Sequence, residues 1–182
     1  MLRKKELDWF YQCGASKIFP EAWEEFLKPI DINDQDNLMS AYHKIFTGDD
    51  EKKKLEAAVA WSKWEGSTSA LSYAPEMVSS FSEPRFALAF ALIENHYFIN
   101  KGFLKNENQL ITSENIDKIR HIPAKIVQGR YDIVCPMETA WELSKNWPEA
   151  ELIIAPSSGH SAFEKEITHH LINTTNEYGK NK

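Results

Sequence analysis

Apolar residues recur at helical spacing through the first two-thirds of the chain. Pro20 stands where a first-turn proline is tolerated, and Trp23, Phe26, Leu27 and Ile30 follow at helical intervals, with Pro29 near the close. A second helix is predicted after Asn33 and Asp34, with Leu38, Ala41, Tyr42, Ile45 and Phe46 on one face and Gly48 as its stop. Asp49 and Asp50 offer an N-cap for a third, which turns Leu55, Ala58 and Val59 inward and runs out at Gly66. A fourth begins near Pro84 and sets Phe86, Ala89, Phe90, Ile93 and Tyr97 on one stripe.

The pattern changes after about residue 115. Ala124 to Gly129 is a short β-like run following Pro123, and Leu152 to Ala155 is another, ended by Pro156. Between them Met137, Ala140, Trp141, Ser144 and Trp147 keep helical spacing, and a last helix carries Phe163, Ile167, Leu171 and Tyr178. Strand, helix, strand, helix is the order of parallel βα units. The expected fold class is therefore α/β, with a helical module over residues 1–114 followed by a fragment of a parallel sheet over 115–182. An all-helical interaction protein is disfavoured by the two β-like runs. No internal repeat or low-complexity segment is present.

Composition narrows the function classes. With 182 residues, 42% of them hydrophobic, the chain is long enough for a real core. A net charge of −6 and no basic block longer than Lys52-Lys53-Lys54 argue against nucleic acid or an anionic membrane as partner. The expected partner is a small molecule or peptide. Met1 to Asp8 lacks the apolar core of a secretory leader, and the longest apolar run, Phe86 to Ile93, falls well short of the ~20 residues that span a bilayer. Cys13 and Cys135 lack metal-ligand spacing, so neither a disulfide framework nor a metal site is expected, and no cofactor is implied. A reducing cytoplasm is the expected location.

In α/β sheets, functional groups gather in loops beyond the C-terminal ends of strands. Asp132 follows the first β-like run in Gly129-Arg130-Tyr131-Asp132-Ile133-Val134-Cys135-Pro136, and His160 follows the second in Pro156-Ser157-Ser158-Gly159-His160-Ser161. Asp and then His is the order in which α/β-hydrolases supply the acid and base of a triad. The residues alone leave a second reading open, with Asp132 as a turn former and His160 as a helix N-terminal residue. Two glutamates are also out of place. Glu94 is the only charged side chain between Phe86 and Asn100, and a carboxylate among apolar groups is costly unless something pairs with it. Glu65 stands at a helix C-terminus, where the macrodipole disfavours negative charge. Structural or solvent-exposed roles remain open for both.

The wording of longer segments adds to this reading. Gly129 to Pro136, Ala140 to Leu143, Asn146 to Leu152 and Gly159-His160-Ser161 resemble the closing third of proline iminopeptidases (prolyl aminopeptidases). Lys5 to Gln12, Phe19 to Trp23, Trp61 to Gly66 and Ile93 to Phe98 resemble that family's lid, so the likeness covers essentially the whole chain. It implies a partial α/β-hydrolase fold, with a helical lid followed by the last two βα units. It also implies release of N-terminal proline from peptides. On this resemblance Asp132 matches the triad acid and His160 the general base, while Glu65 and Glu94 match lid carboxylates that bind the substrate's free α-amino group. A peptide amine, with a reference pKa of about 7.7 to 8.0, is cationic near neutrality and suits such a site.

The sequence departs from the family in one respect. An α/β-hydrolase holds its serine in a Gly-x-Ser-x-Gly elbow. The seven glycines stand at 14, 48, 66, 102, 129, 159 and 179, so neither an elbow nor a Gly-Gly oxyanion loop can be built. Ser16 and Ser161 lie in the wrong places to substitute. The expectation is a partial chain without the nucleophile half, inactive alone and partnered by a separate N-terminal half of the same enzyme. The alternative is a non-catalytic remnant or binding module that keeps the lid.

Overall fold

The computed structural model describes residues 2–180. The chain divides into two compact units, one formed by Leu2–Thr68 with Tyr73–Glu107 and the other by Ser69–Ser72 with the chain from Asn108 onward.

The first unit is helical: α1 (Lys4–Tyr11), α2 (Pro20–Leu27), α3 (Leu38–Phe46), α4 (Glu51–Thr68), α5 (Pro75–Phe81) and α6 (Pro84–Ile99). Helices α2, α5 and α6 each begin on a proline, whose missing N–H costs nothing in a first turn. Side chains cap two of the starts: Asn37 accepts from the Ser40 amide at α3, and Glu83 accepts from the Arg85 and Phe86 amides at α6, in addition to its first-turn proline. Their common core is aromatic. Phe26, Tyr42, Trp61 and Trp64 are fully buried, with Phe26 stacked on Tyr42 at 4.7 Å between ring centres and Tyr11 on Trp61 at 4.5 Å. Rings of this size bury ~150–250 Å² apiece, so this cluster dominates the unit's hydrophobic stabilisation. The Tyr42 phenol is satisfied by the Phe26 carbonyl, and burial pushes its pKa well above 10.

Two expectations for this unit need correction. Helix α4 does not stop at Gly66 but continues to Thr68. Gly66 is there for space, since a Cβ at that position would stand 3.0 Å from the Phe81 Cβ and 3.3 Å from the Val78 Cα of α5. In α6 the stripe of Phe86, Ala89, Phe90, Ile93 and Tyr97 is not the buried face: all but the half-buried Phe90 are exposed, and the buried positions are Ala87, Ala91 and Asn95. The helix is apolar nearly all round, so periodicity alone could not select a face. The small side chains win because they let α6 approach α4 and α3 closely.

The second unit contains α7 (Ser113–Ile116), β1 (Lys125–Gly129), α8 (Met137–Asn146), β2 (Glu151–Ala155) and α9 (Lys165–Lys180). The two strands pair in parallel, with Lys125 opposite Glu151 and Gly129 opposite Ala155, and both α8 and α9 pack on them. This is a fragment of an α/β sheet, two βα units long, as the alternation of patterns predicts. The last helix begins later than expected. Phe163 precedes it and is 91% exposed, and of the predicted stripe only Ile167 is buried.

Candidate functional site

The ends of β1 and β2 are held unusually close. A Cβ on Gly129 would fall 1.9 Å from the Gly159 carbonyl oxygen, so only glycine lets the loop after β2 cross the end of β1. Backbone bonds continue the pairing past the strands, from the Arg130 amide to the Ala155 carbonyl and from the Tyr131 amide to the Ser158 carbonyl, each at 2.9 Å. The loops that carry Asp132 and His160 are therefore brought side by side by the sheet register itself.

Asp132 is buried and fully engaged. Its Oδ1 accepts the Cys135 amide at 2.7 Å, and its Oδ2 accepts from Gln128 Nε2 at 3.1 Å and lies 3.0 Å from His160 Nδ1. Beside a carboxylate, Nδ1 carries the proton, which leaves Nε2 with the lone pair in the neutral ring. The His160 side chain is 38% exposed, against 6% for Asp132. Burial alone would lower the imidazole pKa, but the hydrogen bond to Asp132 and the Cys135 side chain facing the ring together push it up to about 10. The same surroundings stabilise the imidazolium form once a proton has been taken. A ring held this way can accept a proton on Nε2 and have the resulting charge stabilised across Nδ1.

The second constellation lies wholly within the helical unit. Glu65, in the last turn of α4, is only 5% exposed and accepts from the Tyr11 hydroxyl, which also lies 3.5 Å from Glu94 Oε2. That same Glu94 oxygen accepts from Trp61 Nε1 at 2.9 Å. Two carboxylates from α4 and α6 thus converge on one phenol, framed by the rings of Trp61 and Phe98. Such a cluster concentrates negative charge in an aromatic setting, the chemistry that suits an organic ammonium ion. Among the described residues, no group of three or more His, Cys, Asp or Glu is placed to hold a metal ion. Also among them, no helix is long and apolar enough to cross a membrane.

No family model matches the chain. Over 178 residues, 98% of its length, it is 51% identical to a probable proline iminopeptidase of Leptolyngbya boryana and to a proline iminopeptidase of Xanthomonas citri, covering 55% and 56% of those proteins. A proline iminopeptidase of Arabidopsis thaliana is 51% identical over 173 residues, 94% of this chain and 45% of that protein. The chain is homologous to proline iminopeptidases. It spans about half the length of the curated relatives it matches. A helical unit followed by two parallel βα units is consistent with a C-terminal portion of an α/β-hydrolase.

Sequence reasoning assigned no specific role to three residues that complete these clusters. Gln128 left a trace, as a polar side chain inside a β-like run. Tyr11 and Trp61 left none, because nothing local distinguishes a ring that donates to a distant carboxylate from one that only fills the core.

Proposed function

We propose that this chain is the lid and acid–base portion of a prolyl aminopeptidase-like serine peptidase, which releases N-terminal proline from peptides. The observation that carries the reading is the 3.0 Å pairing of Asp132 and His160 at the ends of adjacent parallel strands, in a chain half identical to proline iminopeptidases. In this reading a serine supplied by a separate N-terminal segment attacks the carbonyl carbon of the terminal proline. His160 Nε2 takes the serine proton and returns it to the leaving amine, and Asp132 holds the tautomer and stabilises the intermediate charge. Glu65 and Glu94 bind the free α-amino group of the substrate. Without the nucleophile the chain is inactive alone, since a triad stripped of its serine and oxyanion donors keeps little catalysis. Cytoplasmic residence fits two free, exposed cysteines.

The test is reconstitution. The chain is mixed with the N-terminal part of the Xanthomonas citri relative, and hydrolysis of a proline arylamide is followed. Activity from the mixture but from neither part, abolished by His160→Ala, is expected. A mixture that forms a stable complex yet never cleaves would favour the non-catalytic reading, and serine-inhibitor-sensitive activity from this chain alone would refute the missing nucleophile.

A further inference from the structure

Glu164 takes no part in the chemistry above, yet its carboxylate is divided between two backbone donors. Oε1 accepts the Leu71 amide at 2.8 Å, and Oε2 accepts the Gly159 amide. Two residues before Leu71, the Ser69 carbonyl accepts the His160 amide at 2.9 Å and the Ser161 amide at 2.8 Å. The successive amides of 159, 160 and 161 are thus all anchored, either to segment 69–71 or to a carboxylate itself tied to that segment. Segment 69–72 belongs to the same compact unit as His160. The fit leaves no slack: a Cβ on Gly159 would stand 2.9 Å from the Leu71 nitrogen and 3.4 Å from Glu164 Oε2.

We propose that Glu164 is a positioning residue that fixes the imidazole of His160 against Asp132, acting through the Gly159 backbone and segment 69–71. The proposal rests on the reading of His160 as the base. The chemistry calls for a carboxylate. Each oxygen serves a different N–H, and bonds from neutral donors to an ionised acceptor are about twice as strong as neutral ones. An amide of the same shape has one acceptor oxygen, and its NH2 would face an N–H. Glu166 provides the internal control. Its single Oε2 accepts from the Ser157 amide at 2.8 Å and the Ser158 hydroxyl at 3.1 Å, so glutamine can keep both bonds there.

The experiment compares the full chain with Glu164→Gln, Glu166→Gln and Asp132→Asn. Amide hydrogen exchange is read by mass spectrometry on peptides covering 69–72 and 157–161. Imidazole C2–H exchange gives the His160 titration whatever the oligomeric state. Glu164→Gln is expected to speed exchange in both peptides roughly tenfold or more, and to move the His160 titration about a pH unit or more down from about 10 toward 6.5. Glu166→Gln is expected to leave the His160 titration in place. Unchanged exchange and titration in Glu164→Gln overturn the proposal. If Asp132→Asn also fails to lower the titration, the Asp132–His160 pairing is at fault; if it succeeds while Glu164→Gln is silent, Glu164 alone loses its role. Should Glu164→Gln not fold, Glu164→Asp, too short for both amides, is read in the same way. Loss of fold in both makes Glu164 merely structural and overturns the proposal.

Discussion

Tyr11 has one proton to donate and two carboxylates within reach of its hydroxyl, with Glu65 the nearer. Because Glu65 is buried, removing this donor leaves a desolvated acceptor short of a partner, which costs about 1–3 kcal/mol. Tyr11→Phe should therefore destabilise the helical unit by that order, read as a lower urea midpoint at unchanged m-value. Glu65→Gln separates a structural from a binding role. Removing a buried charge should leave stability level or higher, while weakening binding of a small proline amide measured by calorimetry; a large loss of stability with binding intact would make Glu65 structural. At His160 the sign of the pH dependence is fixed by a folded pKa raised from 6.5 to about 10. The raised value contributes stability that is fully present below pH 6.5 and is lost as pH rises through about 10. Exposure of 38% screens the pair, so the effect is modest. The difference in urea midpoint between the wild-type chain and His160→Gln should shrink between about pH 6 and pH 10.5, and a difference independent of pH would contradict the pairing. Asp132 and His160 were legible because strand ends announce themselves in short β-like runs. The partners of Glu65 and Glu94 were not, because Tyr11 reaches them across 54 and 83 residues of sequence.

At the scale of elements, glycine marks where backbone approach overrides propensity. Helix propensity alone predicts a gain of roughly 1 kcal/mol for Gly66→Ala. Here the added methyl meets Phe81 and the Val78 backbone at 3.0 and 3.3 Å, and overpacking of this kind costs about 1–3 kcal/mol. Overpacking is the larger effect, so Gly66→Ala is expected to lower the melting temperature; a rise would mean that α5 can shift away at no cost. The sequence could not reveal this. A glycine near the end of an apolar run reads as a helix stop, and only the arrival of α5 shows that it is a contact. The same holds for α6, where Ala87 and Ala91, not the larger Phe86 and Ile93, face inward. By contrast α2, α8 and both strands follow their patterns closely, because proline and the change of period are signals carried within each segment. Helix α3 instead starts at Leu38 on an Asn37 cap, beyond the expected start at Asn33 and Asp34, which lie in a 3-10 turn.

For the whole molecule, the second unit has a problem that no local pattern discloses. Parallel sheets are stable when buried on both faces and both edges are managed, whereas the sheet here has two strands and no third pairs with them among the described residues. Each strand has five residues, and a pair of this length is marginal without further cover. Around it Ile122, Trp141, Ile172 and Phe163 stand between about half and nine-tenths exposed. A monomer leaving that much apolar surface and two strand edges in water should associate or bind hydrophobic dyes. In the proposed reading, the segment that supplies the nucleophile also supplies the missing cover. The isolated chain is therefore expected to bind such a dye and to migrate larger than its 21.0 kDa mass on size exclusion. Adding the N-terminal part of the Xanthomonas citri relative should suppress both. A monomer that melts sharply and binds no dye would show that the two-stranded unit is sufficient by itself, and association would then have to be sought for reasons other than an incomplete sheet.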